Sequence, residues 1–266
     1  MYKRAGFLLI VIMVFVIMAG CTSSTGSKQL SPTPDPAQLA AMDKMTGQAG
    51  NITGVQGRLD TIITEVNNAS FRQPPSLNQT VVNNYQSDVD GCIMALNDYK
   101  AANNGYKIFL EPNGSEYTQV EDNGTAGQVL LNNATRLEKE LKLVGVWLNQ
   151  YDVWMSANDS AQKKVDEMNY FASLTDPLHQ ATPDDGVRYF NSAGPAFTLY
   201  FKEGEQLTRD TDNLTAVMEP GKARDSLIES KKNILTYNDW LKSQYNLMVS
   251  QFNSITKGRF GQISQL

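Results

Sequence analysis

The sequence predicts an all-α protein, an elongated antiparallel helical bundle with coiled-coil-like heptad packing. Three observations predict it. Apolar residues recur at alternating spacings of three and four almost throughout residues 36–266. Short turns rich in Pro, Gly and Asn separate these stretches, so neighbouring helices should run antiparallel. No strand-rich region, Gly-rich phosphate loop or repeat of 20–50 residues interrupts the pattern.

The first helix opens at Asp35-Pro36, an N-cap followed by Pro at the first helical position. Met42, Met45, Ala49, Ile52, Leu59, Ile63 and Val66 form its apolar stripe, with Gln56 a polar gap. Pro74-Pro75 is its predicted stop. Ser76 with Gln79 has the form of a capping box for the second helix. Val82, Tyr85, Val89, Cys92, Leu96 and Tyr99 then repeat at heptad spacing. This helix is predicted to reach about residue 110. The alternative pairs "YKIFL" with "EYTQV" as a hairpin around Pro112-Asn113-Gly114.

The third segment is the most regular. Leu130, Ala134, Leu137, Leu141, Val144, Leu148, Tyr151 and Met155 step by four and three without a miss. Trp147 and Trp154 widen that stripe, which implies packing against more than one neighbour. Val165, Met168 and Phe171 either continue this helix or follow a break near Asn158-Asp159-Ser160. After a loop bounded by Pro177 and Pro183, Phe190, Phe197, Tyr200, Leu207, Leu214 and Met218 mark another helix. Pro195 is a kink or boundary within it. Glu219-Pro220-Gly221 is a turn. The last helix carries Ile228, Ile234, Leu241, Tyr245, Met248, Phe252 and Ile255, and Gly258 closes it. These helices make one elongated bundle over 36–266, or two short bundles sharing long helices.

The N-terminus has a different character. Lys3 and Arg4 precede an uncharged run from Phe7 to Gly20. As a helix that run is about 21 Å long, short of a hydrocarbon core of about 30 Å. A basic start, a short apolar run and small residues before a cut form a secretory signal. Ile17-Met18-Ala19-Gly20-Cys21 resembles the lipobox of prokaryotic membrane lipoproteins, with Met18 where Leu is commoner. The resemblance covers about 21 residues and implies that residues 1–20 are removed and Cys21 is lipidated. A pilin-like leader at Lys3–Phe7 fits less well, because the run after Gly6 is short and holds no acidic residue. "TSSTGSKQLSPTPD" completes residues 21–35 as a flexible tether that cannot bury enough surface to fold.

Eight Asn-x-Ser/Thr sequons follow, at Asn51, Asn68, Asn78, Asn113, Asn123, Asn133, Asn158 and Asn213. Chance placement of the chain's Asn, Ser and Thr would give about three, so the excess points to N-glycosylation. Together with the lipobox it favours an archaeal cell-surface lipoprotein over a bacterial one. The full chain has 23 basic and 28 acidic residues, a net charge of −5. Removing Lys3 and Arg4 leaves 21 basic residues and a net of −7. That balance argues against nucleic acid as a partner and leaves the membrane, through the lipid on Cys21, as the implied one.

Chemistry is sparse. With Cys21 lipidated, Cys92 has no partner for a disulfide and reads as a small buried hydrophobe. His179 is the only histidine, so any His-containing catalytic or metal site must use it, with Asp176, Asp184 and Asp185 nearby. Its Pro- and Gly-rich setting reads as a surface connection in which Asp184 or Asp185 caps the next helix. Asp210-Thr211-Asp212-Asn213 begins like a calcium loop but lacks its glycine and terminal Glu. No catalytic residue, metal ligand or cofactor is assigned. Trp147, Tyr151 and Trp154 share one face and either build core or line a ligand groove. The sequence therefore reads as a lipid-anchored, glycosylated, extracytoplasmic helical bundle, not an enzyme. It would act as a binding, sensory or structural module at the cell surface. The alternatives are a small-molecule carrier with an aromatic pocket, and a metal-dependent enzyme centred on His179.

Overall fold

The computed structural model describes residues 35–173, 182–257, 259 and 261–266. Among them are five helices and no strand: α1 (Pro36–Asn68), α2 (Gln79–Lys107), α3 (Ser115–Ser173), α4 (Pro183–Thr215) and α5 (Lys222–Thr256). The protein is an all-α bundle with packed helix–helix contacts. The signal-like residues 1–20, Cys21, the tether up to residue 34, His179, Asp176 and Gly258 lie outside the described residues.

The packing divides into two compact units. The first takes residues up to Glu65 together with Asn84–Lys139. The second takes Val66–Asn83 and Glu140–Leu266. In the first unit, α1 and α2 run antiparallel. The Cys92 thiol reaches the Val55 carbonyl at 4.0 Å, and Tyr85 bonds the Glu65 carboxylate. Cys92 is fully buried and unpaired. The α2–α3 contact is also antiparallel. The Asn103 amide donates to the Val120 carbonyl at 2.8 Å, and Tyr106 donates to Glu116. Gly127 lets these helices close: a Cβ there would come within 3.0 Å of the Tyr99 ring.

Several boundaries differ from the sequence expectation. α1 ends at Asn68, well before Pro74-Pro75. The intervening chain turns back on itself, with the Ser70 N–H donating to the Ser76 hydroxyl at 2.8 Å. Ser76 is thus used by that turn. Asn78 caps α2 instead, accepting from the Val81 N–H at 3.0 Å. α2 stops at Lys107, after which Phe109 and Leu110 close a turn, so no hairpin forms there. α3 is unbroken through Asn158-Asp159-Ser160, and α4 runs through Pro195.

In the second unit the α4–α5 pair is antiparallel. Phe190 meets Phe252 at 5.1 Å, Phe197 meets Tyr245 at 5.4 Å, and Lys231 bonds Asp212 at 2.6 Å. The α5 seam is Leu227, Ile234, Leu241, Tyr245 and Val249. Ile228 and Ile255, expected in the core, are 52% and 79% exposed. Ile228 lies one position from Leu227 and Ile255 one position from the buried Thr256, where apolarity alone does not choose a face. α5 ends on Lys257 in the left-handed conformation, at φ 48°. Residues 261–266 then return along α5. Asn253 both donates to the Ile263 carbonyl and accepts its N–H, at 2.9 and 3.1 Å. Asn246 does the same for Leu266, at 3.2 and 2.8 Å.

Two glycine substitutions should move stability in opposite directions. A Cβ at Gly54 meets nothing within 4 Å, so Gly54→Ala should stabilise α1 by about 0.5–1 kcal/mol through helix propensity. A Cβ at Gly186 would overlap the Phe252 ring. Gly186→Ala should therefore lose about 1–3 kcal/mol to overpacking, more than propensity returns. Denaturation followed by circular dichroism reads the first. Tryptophan fluorescence reads the second, since all three tryptophans lie in the second unit.

Candidate functional site

The aromatic stripe on α3 divides between core and cavity. Trp147 is fully buried. Its ring meets Phe71 edge-on at 5.1 Å and stacks on Tyr151 at 5.4 Å. Its indole N–H donates to the Thr211 hydroxyl at 2.9 Å, and Thr211 in turn donates to the Leu207 carbonyl at 2.8 Å. Trp147 is thus core, and the groove expected to include it begins one turn further on.

That turn opens a cavity of about 480 Å³ within the second unit. The volume lies inside the range of about 300–1,000 Å³ typical of small-molecule sites. α3 contributes Tyr151, Trp154, Asn158 and Gln162. Their spacings of three, four and four put them on one helix face. α5 contributes Ser230, Asn233, Ile234 and Tyr237, again one face at i, i+3, i+4 and i+7. α4 adds Tyr200, and the α1–α2 connection adds Arg72 and Gln73. Phe71 holds that connection in place. It is fully buried, and its backbone N–H donates to the Ser226 hydroxyl at 2.9 Å.

The rings around the cavity are tilted facets. Tyr151 and Trp154 meet at 6.0 Å and 49°, Trp154 and Tyr200 at 5.8 Å and 36°, Tyr200 and Tyr237 at 6.2 Å and 88°. Burial pushes all three phenols above their usual range, with Tyr237 adding to the shift at Tyr200, Asp152 at Tyr151 and Asp166 at Tyr237. The phenols therefore stay protonated at neutral pH. The Trp154 N–H favours the Tyr200 phenolate weakly, yet it makes no well-directed hydrogen bond. A buried donor without an acceptor costs about 1–3 kcal/mol. Among the described residues no carboxylate lines the cavity, and the one cation among them, Arg72, pairs with Glu229.

The other candidate residues are dispersed. Asp184 is exposed in the first turn of α4. Neither it nor Asp185 is the N-cap. Thr182 takes that position, and Asp185 completes its capping box by accepting the Thr182 N–H at 3.0 Å. Asp210 accepts from Gln206 and Asp212 pairs with Lys231, both within or from α4, so the calcium-like run is ordinary helix. Among the described residues no cluster of His, Cys, Asp and Glu could hold a metal ion. No described helix is long and apolar enough to cross a membrane.

Of the sequons, Asn51, Asn68, Asn78, Asn113 and Asn213 are exposed. Asn113 sits in a turn with φ 69°. Asn123, Asn133 and Asn158 are half-buried, and Asn158 lines the cavity.

Sequence reasoning missed Arg72, Gln73, Ser230, Asn233 and Tyr237 as partners of one site. The signal available was polar residues continuing an apolar face: Asn158 and Gln162 beyond Trp154, and Ser230 and Asn233 beside Ile234. Compared with known protein families, curated proteins and solved structures, the chain matches none of them.

The Trp147–Thr211 bond gives this site a direct test. Thr211→Val keeps the shape and removes the acceptor, leaving the indole N–H buried and unpaired. Stability of the second unit should fall by about 1–3 kcal/mol. Urea denaturation followed by tryptophan emission measures it, and an unchanged midpoint would show that the bond contributes nothing.

Proposed function

We propose that this chain is a lipid-anchored, extracytoplasmic binding protein whose helical body holds a small molecule in the cavity of its second unit. The observation that carries the ligand reading is the cavity itself. It combines four aromatic side chains with several amides and hydroxyls, and sits on faces of three helices. The anchoring reading rests on the lipobox-like run ending at Cys21, and the surface reading on eight sequons, five of them exposed. With residues 1–20 removed and Cys21 lipidated, the tether would hold the bundle off the bilayer. A single acyl chain anchors only marginally, so two chains would be needed on Cys21.

Two measurements test the proposal. Cys21→Ser should release the protein from the membrane fraction, and a variant that still sediments with membranes would sink the anchoring half. For the binding half, native mass spectrometry of protein purified from its own membranes should retain a small molecule beyond lipid and glycan. Ser230→Trp, which puts a bulky ring into the cavity, should weaken binding of that molecule while the helical circular dichroism stays unchanged. Undiminished binding of the same molecule by this variant would place the ligand elsewhere.

A further inference from the structure

We propose that the ligand of this cavity is a neutral, polyhydroxylated molecule of the saccharide class, an inference that rests on the binding reading above. The charge of the lining points there first. Among the described residues no carboxylate lines the cavity, and Arg72 is already paired with Glu229. The phenols of Tyr151, Tyr200 and Tyr237 are held in their neutral form. A cationic ligand would find no carboxylate among the described lining residues and would meet Arg72, while an anionic one would compete with Glu229.

The free polar groups point the same way. Asn158, Asn233, Ser230 and the Tyr151 hydroxyl make no hydrogen bond with other described residues, so they are available to a ligand. A side-chain amide offers donors and an acceptor together, and a hydroxyl offers both in one atom. Adjacent hydroxyls of a sugar present that mixed pattern. Cations present no acceptor to the amide N–H groups, and carboxylates present no donor to the amide oxygens.

Ring geometry then separates a sugar from a flat aromatic ligand. The facets meet at 36° to 88°, so neighbouring rings offer no parallel pair of faces to sandwich a planar heterocycle. A puckered ring with C–H groups on its faces and hydroxyls at its edge can lay apolar patches on tilted facets. Its edge then meets Asn158 on one side and Ser230 and Asn233 on the other.

Asn158 raises the question of source, because it also heads the sequon Asn158-Asp159-Ser160. The sugar is either a free saccharide or a glycan carried by the protein on Asn158. Ser160 is exposed and does not line the cavity, so Ser160→Ala abolishes the sequon and keeps the Asn158 amide.

The test uses the full chain in detergent, made in a host without N-glycosylation and also purified from native membranes. Glucose, N-acetylglucosamine, maltose, choline and benzoate are titrated by calorimetry and tryptophan emission. A neutral sugar should bind saturably, and Trp154→Phe should abolish the emission change. Asn233→Ala should weaken binding by about tenfold without changing the melting temperature. If native and Ser160→Ala proteins bind alike, the source is a free saccharide. If the native protein binds nothing until Ser160→Ala frees the cavity, the source is the Asn158 glycan. Binding of choline or benzoate in place of every sugar overturns the saccharide class and leaves the ligand-binding reading standing. If no probe binds, the molecule retained in native mass spectrometry decides: a sugar composition supports the class and any other overturns it. Absence of both probe binding and a retained molecule overturns the class and the binding reading together.

Discussion

The second unit depends on the burial of Trp147. One fully buried indole touches the α1–α2 connection through Phe71, its own helix through Tyr151 and α4 through Thr211. A Trp in a helical core brings a large apolar area and one polar atom that must find a partner. Thr211 supplies it and is itself satisfied by the Leu207 carbonyl, so the network closes without an orphan. Phe71 can pack edge-on against the ring only because the chain leaves α1 at Asn68 and turns back before α2 begins. Fixing Phe71 also fixes its neighbours Arg72 and Gln73, which therefore reach the cavity from a connecting segment.

Packing changes along α3. Near its N-terminal end, in the first unit, Gly127 accepts the Tyr99 ring at contact distance, and the gap beside them is only about 20 Å³. Helices there close as far as side chains permit. Past Trp147, in the second unit, the stripe changes from Leu and Val to Tyr, Trp, Asn and Gln, and a space of about 480 Å³ remains. The Trp154 N–H is buried without an acceptor at that point. Both features lower stability relative to a filled apolar core. Proteins depart from efficient packing most often where function requires it.

The fold class was legible because helical periodicity survives local error. Leu130 through Leu148 is one uninterrupted stripe, and its regular members are buried as the spacing requires. α5 was less legible. Leu227 and Ile228 are adjacent and apolar, as are Leu247, Met248 and Val249, so one-dimensional patterning does not pick the seam. Which of them is buried follows from what α4 presents opposite, and that is tertiary information. The end of α1 was misplaced for a related reason. Proline fixes where a helix cannot continue, whereas Phe71 and the Ser70–Ser76 turn fix where it does stop. Of the candidate site, Tyr151 and Trp154 were visible as a shared aromatic face. Ser230, Asn233 and Tyr237 lie about eighty residues away in sequence, and only the fold brings them opposite.

Asn158 joins two properties that the sequence presents as separate. As a sequon it is one of eight, five of which are exposed. As a cavity residue it belongs to the interior face of α3, three residues past Met155 and one turn past Trp154. The amide cannot serve both roles in the same way. A glycan attached to its nitrogen removes one of its donors and places a sugar ring at the aromatic facets. An unmodified amide keeps both donors and its acceptor for a ligand that arrives from solution. Asn158 on α3 and Asn233 on α5 suit the saccharide proposed above from either source, because each source presents hydroxyls to amides and C–H faces to rings. The chemistry of the cavity is therefore set by its lining, four aromatic rings with amides and hydroxyls beside them.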